Sequence, residues 1–183
     1  MPTPTATSLS LFLDLLLLLM VVLAAANDLR TRRIPNVLLL AGALGALTLH
    51  CFSPSPATAL MDAFAGAGTG LLIFLPFYCL RGMAAGDVKM MAAVGFFITP
   101  SEVLQLALMT VCVGGVMALV VVIASGRLRA AIANVLSLLR PLWMRLAGVQ
   151  LAPEPMPNPS VGSIPYGVAI ACGTLLLLAQ RHL

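Results

Sequence analysis

Charge is what this sequence has least of. Of 183 residues only 9% are charged, where a soluble domain carries roughly 25%; 61% are hydrophobic and the mean hydropathy is +1.07. So few charges leave most of the surface unable to face water, which excludes a soluble globular enzyme and points to lipid as the surrounding medium. Cysteine is sparse and scattered: Cys51, Cys79, Cys112 and Cys172 lie far apart with no CxxC pair, so neither a cysteine-rich zinc site nor a disulfide framework is implied. Histidine occurs only at His50 and His182, without an HExxH pattern or a histidine cluster, and zinc hydrolysis has no ligands to use. The formal net charge is +4, but the basic residues sit at the ends of apolar runs; that placement sets membrane topology and leaves no nucleic-acid-binding patch.

What is present is long apolar runs. Six can be drawn, at about 9–26, 35–52, 57–80, 83–99, 103–124 and 162–180. The expected fold class is all-α: a polytopic membrane protein of about six transmembrane helices, forming one membrane-embedded domain over residues 1–183. Between the last two runs, a stretch of about 125–161 is expected to be cytoplasmic or interfacial. It contains the partly amphipathic "LRAAIANVLSLLRPLWMRL" and then the proline-rich linker "APEPMPNPS". If six spans alternate, Arg30, Arg32, Arg33, Arg81, Lys89, Arg127, Arg129, Arg140 and Arg145 all fall on one side and only Arg181 on the other. Positive residues favour the cytoplasm, so both termini are expected on the non-cytoplasmic side. The first run, "LLLLLMVVLAAAN", ends like a signal-peptide core, but no positive region precedes it and Asp14 interrupts it. It is expected to be retained as a span.

Carboxylates beside hydrocarbon are costly and default to functional hypotheses. Topology divides the four aspartates into two pairs: Asp28 and Asp87 at the cytoplasmic face, Asp14 and Asp62 towards the opposite one. Two close carboxylates share a proton, so one can take a proton from water while the other polarises a carbonyl oxygen. The structural alternatives are plain: Asp28 as an interfacial charge paired with Arg30 or Arg32, and Asp87 as a helix-start residue after Gly86. Other hydrolytic schemes lack parts. A Ser-His-Asp triad has no histidine on that side, and a serine–lysine dyad would need a serine near Lys89, the only lysine.

Three stretches, in order, carry a resemblance. "NDLRTRRIPN" (27–36), "AAGDVKMMAAVG" (84–95) and "IPYGVAIACG" (164–173) resemble the two aspartate segments and the final helix start of type IV prepilin peptidases, the GxGD membrane aspartic proteases. The chain is most similar to the short members that serve tight-adherence (Flp) pilus systems. Longer members add a cytoplasmic domain with paired CxxC motifs that N-methylates the product. No such domain stands in this sequence, so the resemblance implies peptidase without methyltransferase activity. One departure is Ala84, where the motif has its first glycine.

The resemblance implies Asp28 and Asp87 as the catalytic pair, with no metal and no cofactor. Gly86 would let the chain approach the substrate closely. Arg32, Arg33, Pro35 and Asn36 would shape the loop that carries Asp28, and Pro165 and Tyr166 the start of the last span. For Lys89 the simpler reading is positive-inside anchoring, the other a contact to an acidic group of the substrate. Partners would be prepilins and pseudopilins, whose short basic leader is cut from a hydrophobic helix at the cytoplasmic face of a bacterial inner membrane. Gly66 and Gly70 have GxxxG spacing; such faces more often join a protein's own helices, the alternative being a substrate-helix contact. Pro76 is expected to kink the third span. Two rival classes remain: a non-catalytic membrane subunit of a pilus or secretion assembly, for which Ala84 speaks, and a small ion-coupled transporter using Asp14 and Asp62. The oligomeric state is left open.

Overall fold

The computed structural model describes residues 4–80, 82–136 and 165–182. Every regular element among them is a helix: α1 (Pro4–Thr31), α2 (Asn36–Cys51), α3 (Pro56–Cys79), α4 (Ala85–Gly95), α5 (Pro100–Ala124), α6 (described over residues 128–136) and α7 (Tyr166–His182). The chain groups into two compact units, one of Met1–Gly114 with Pro165–Leu183 and one of Gly115–Ile164. Of the expected interfacial segment, residues 128–136 are helical; Arg140, Arg145 and the linker 152–160, like Arg81, lie outside the described residues.

Three helices are long and apolar enough to cross a membrane: α1 over Ser8–Thr31, α3 and α5. The shorter apolar α2 has 16 residues. The run at 83–99, expected as a fourth span, is instead an 11-residue helix followed by a turn at Phe96–Thr99. Eleven residues rise only about 16 Å, roughly half of a ~30 Å hydrocarbon core. The reason that run is apolar is packing. Val88, Met90, Met91, Ala93, Val94 and Gly95 are all buried, and α2, α3 and α7 enclose the helix. Apolar side chains covered by neighbouring helices are core, not lipid-facing surface.

Local chemistry sets the helix starts. Ser55 and then Pro56 open α3, with proline where its missing N–H costs nothing. At α5, Thr99, Pro100 and Glu102 form a capping box: the Thr99 N–H and hydroxyl each donate to Glu102 Oε2 at 2.8 Å. Pro76 lies inside α3, which continues through it to Cys79.

Glycine permits a close approach between α3 and α4. Gly66 and Gly70 of α3 face α4 backbone; a Cβ on Gly66 would collide with the Gly95 carbonyl, and one on Gly70 would stand 2.7 Å from the Met91 carbonyl oxygen. The GxxxG face is therefore occupied by the protein's own helix, and no room for a substrate helix is left on it. Gly68, on the same helix, faces open space. In detergent, Gly66→Leu should lower stability by about 1–3 kcal/mol or more, because backbone atoms cannot swing aside. Gly68→Ala should leave the unfolding temperature unchanged or raise it; equal losses at both positions would contradict the packing.

Candidate active site

Asp28 sits in the last turn of α1 and Asp87 in the first turn of α4. Both are buried, 7% and 6% exposed, and among the described residues they are the only charged side chains so enclosed. They lie within electrostatic range of each other. One Asp28 oxygen, Oδ2, accepts the Gly167 backbone N–H at 3.0 Å. The Asp87 carboxylate is reached by the N–H of Ala84, the acidic half of a capping box. The Tyr166 phenol lies within electrostatic range of Asp87, its ring against the bare Cα of Gly114.

A short hydrogen-bonded turn places Asp28. Apolar character ends near residue 26, yet α1 runs on to Thr31, because Asn27 and Thr31 cap it from within. Asn27 Nδ2 donates to the Arg33 carbonyl at 2.7 Å and to Thr31 Oγ1 at 3.2 Å, and Thr31 Oγ1 donates to the Asn27 carbonyl at 2.9 Å. Arg32 then takes a left-handed conformation, φ 54°, with its N–H on the Asp28 carbonyl at 2.9 Å. A left-handed residue after a helix closes its last turn. The chain next turns Ile34 inward to pack on the core and passes Pro35 into α2.

The other residues of interest gather at the same end. Gly86 stands beside Ile34, and an added Cβ would meet that side chain at an ordinary 3.6 Å. Lys89 is exposed and its Nζ reaches Asn36 Oδ1 at 3.4 Å, a weak link between α4 and α2. Pro165 opens the turn before α7, its carbonyl accepting the Val168 N–H at 3.1 Å. No group of three His, Cys, Asp or Glu side chains converges among the described residues.

Asp14 does not meet Asp62. Its Oδ1 is paired with Arg181 Nη1 at 2.7 Å and its Oδ2 with His182 Nε2 at 3.2 Å, while Arg181 Nη2 holds Glu102 at 2.7 Å. Asp62 is exposed and lines a cavity of about 270 Å³ with His50, Glu102 and Arg181. Asp28 and Asp87 are not part of that cavity. Along α1, Asp14 and Asp28 are separated by about 21 Å.

Residues 15–119, more than half of the chain, match the sequence profile of the type IV leader peptidase family. The chain belongs to that family. No curated protein and no solved structure matches it. Membership makes it a leader-peptidase-type protease and a membrane protein, and the matched segment contains both Asp28 and Asp87.

Within this leader peptidase, reading the sequence missed Asn27, Thr31, Ile34, Gly114 and Gly167. Asn27 and Thr31 had a local signal, since residues four apart on a final helical turn face one another. Gly114 and Gly167 had none, because their contacts are made between distant helices. The departure at Ala84 is resolved by its backbone: φ −79°, ψ 150° is extended and open to any residue, so the methyl brings no strain. Ala84→Gly should leave leader cleavage intact and lower stability by about 0.4–1 kcal/mol, through the unfolded chain. A large gain in cleavage rate would show instead that the methyl obstructs the site.

Proposed function

We propose that this leader peptidase is an aspartic endopeptidase of the inner membrane that removes the leader of prepilins or pseudopilins at the cytoplasmic face. The observation that carries this reading is the pair Asp28 and Asp87: two buried carboxylates from distant parts of the chain, within range of each other. Burying even one charge is expensive, and burying two like charges together is more so. Such a pair is retained where one proton shared between two carboxyls is used.

The chemistry follows. The ionised carboxyl takes a proton from water as the water oxygen attacks the scissile carbonyl carbon, and the protonated one hydrogen-bonds the carbonyl oxygen as it gains charge. Collapse of the tetrahedral species breaks the C–N bond, and the leaving nitrogen takes up a proton from the dyad. The new carboxyl end belongs to the leader and the new amine to the mature pilin. The scissile segment has to be extended, because a helical peptide bond is engaged in its own hydrogen bonding.

Two features support the cytoplasmic placement. Arg30, Arg32 and Arg33 follow Asp28 directly, and Lys89 follows Asp87, so both carboxylates are flanked by the residues that favour the inner side of a membrane. In this topology the chain crosses six times with both termini outside, the fourth crossing made by the short α4 together with the turn at Phe96–Thr99, shielded from lipid by α2, α3 and α7. The reading takes residues 1–183 as one membrane-embedded peptidase domain.

Gly86 supports substrate access. Its neighbour Ile34 would tolerate a methyl, so internal packing does not require glycine there; the space beside Asp87 suits an incoming backbone. With a full-length prepilin, Asp28→Asn or Asp87→Asn should each abolish cleavage while the protein remains inserted and folded. Gly86→Ala should fold normally and slow cleavage. Normal processing by both aspartate variants would sink the assignment.

A further inference from the structure

The first turn of α7 holds a contact between residues 139 positions apart. Helices begin with N–H groups that have no partner inside the helix. In α7 the Val168 N–H is taken by the Pro165 carbonyl at 3.1 Å, and the Gly167 N–H is given, in a buried position, to Asp28 Oδ2 at 3.0 Å. Proline has no side-chain acceptor with which to cap the helix, so the α1 carboxylate caps α7 from outside. A carboxylate at a helix start is favoured twice, by the open donors and by the positive end of the helix dipole.

Space at residue 167 is as restricted as the hydrogen bond. A Cβ there would stand 2.9 Å from Asp28 Oδ2, 3.2 Å from its Cβ and 3.3 Å from its Cγ. The Gly167 backbone is not left-handed, so what glycine supplies is room rather than conformation. Nor can α7 back away freely. Tyr166 lies against Gly114 of α5, and Gly173 lies against Thr110, where a Cβ would meet Oγ1 at 2.8 Å.

We infer that Gly167 is a positioning residue for the peptidase reaction, its amide holding one Asp28 oxygen and its bare Cα leaving the room that oxygen fills. The inference rests on the proposed function. With Oδ2 engaged, the other Asp28 oxygen is the one left for Asp87 and the attacking water. Any side chain at 167 displaces the carboxylate without touching the substrate.

The test uses purified full-length protein in phosphatidylethanolamine–phosphatidylglycerol vesicles with a full-length prepilin, reading kcat, KM and the unfolding temperature. Gly173→Ala is the control, since it crowds α7 against α5 but lies about 9 Å further along the helix. Gly167→Ala should lower kcat roughly 100-fold at similar KM, the effect of a misplaced reacting group. Gly173→Ala should lose comparable thermal stability and keep kcat within about threefold. Equal loss of kcat in both, in proportion to the folded fraction, would overturn the inference. So would full activity of Gly167→Ala beside an inactive Asp28→Asn, and the peptidase reading would then stand. An Asp28→Asn variant as active as wild type would remove that reading and the inference with it. The cap has its own readout, independent of how Gly167→Ala folds. Asp28→Asn keeps an acceptor oxygen and should unfold at higher temperature than Asp28→Ala; identical values would contradict the contact.

Discussion

Everything in this bundle depends on holding two carboxylates inside a chain that is mostly hydrocarbon. A buried carboxylate costs several kcal/mol unless donors replace the lost water. Here the donors are backbone amides at helix starts: Gly167 of α7 for Asp28, and Ala84 at the head of α4 for Asp87. Such amides are rigid, carry no titratable charge and leave both aspartates as the only enclosed charges among the described residues. A lysine or arginine in their place would neutralise the pair and remove the reason for having it.

The rest of the first unit keeps these helix starts in place. Glycine-to-backbone contact between α3 and α4 fixes the depth of α4, and with it Asp87. The turn built by Asn27, Thr31 and Arg32 fixes the last turn of α1, and with it Asp28. Helix α7 is tied to α1 at both ends. The Gly167–Asp28 bond serves one end, and the Arg181 and His182 pairs to Asp14 the other. Because Arg181 also holds Glu102, which caps α5, a single guanidinium joins three helices at the end away from the aspartates. Partly exposed ion pairs contribute little energy singly, so their use here is alignment.

Much of this was legible in the residues. The long apolar runs gave helices, and the order of the two aspartate segments and the Pro-Tyr helix start gave the family. Hydropathy left open what covers α4, because a run buried among helices and a run facing lipid have the same composition; Gly66 against Gly95 tells them apart, and that is a contact across the fold. It also ended the first span at 26, where apolar character stops, although side-chain hydrogen bonds carry the helix to Thr31. Gly167 and Arg181 were opaque for a related reason. Their partners lie 139 and 167 positions away, and no local pattern announces so distant a hydrogen bond.

The central claim is that Asp28 and Asp87 act as one coupled unit. The most direct measurement is a ¹³C NMR titration of the aspartate carboxyl carbons in detergent, comparing wild type with Asp28→Asn. Coupling predicts that neutralising residue 28 moves the Asp87 titration curve along the pH axis by more than about one pH unit. Superimposable Asp87 curves in the two proteins would mean that the carboxylates do not feel each other, and the dyad would have to be abandoned.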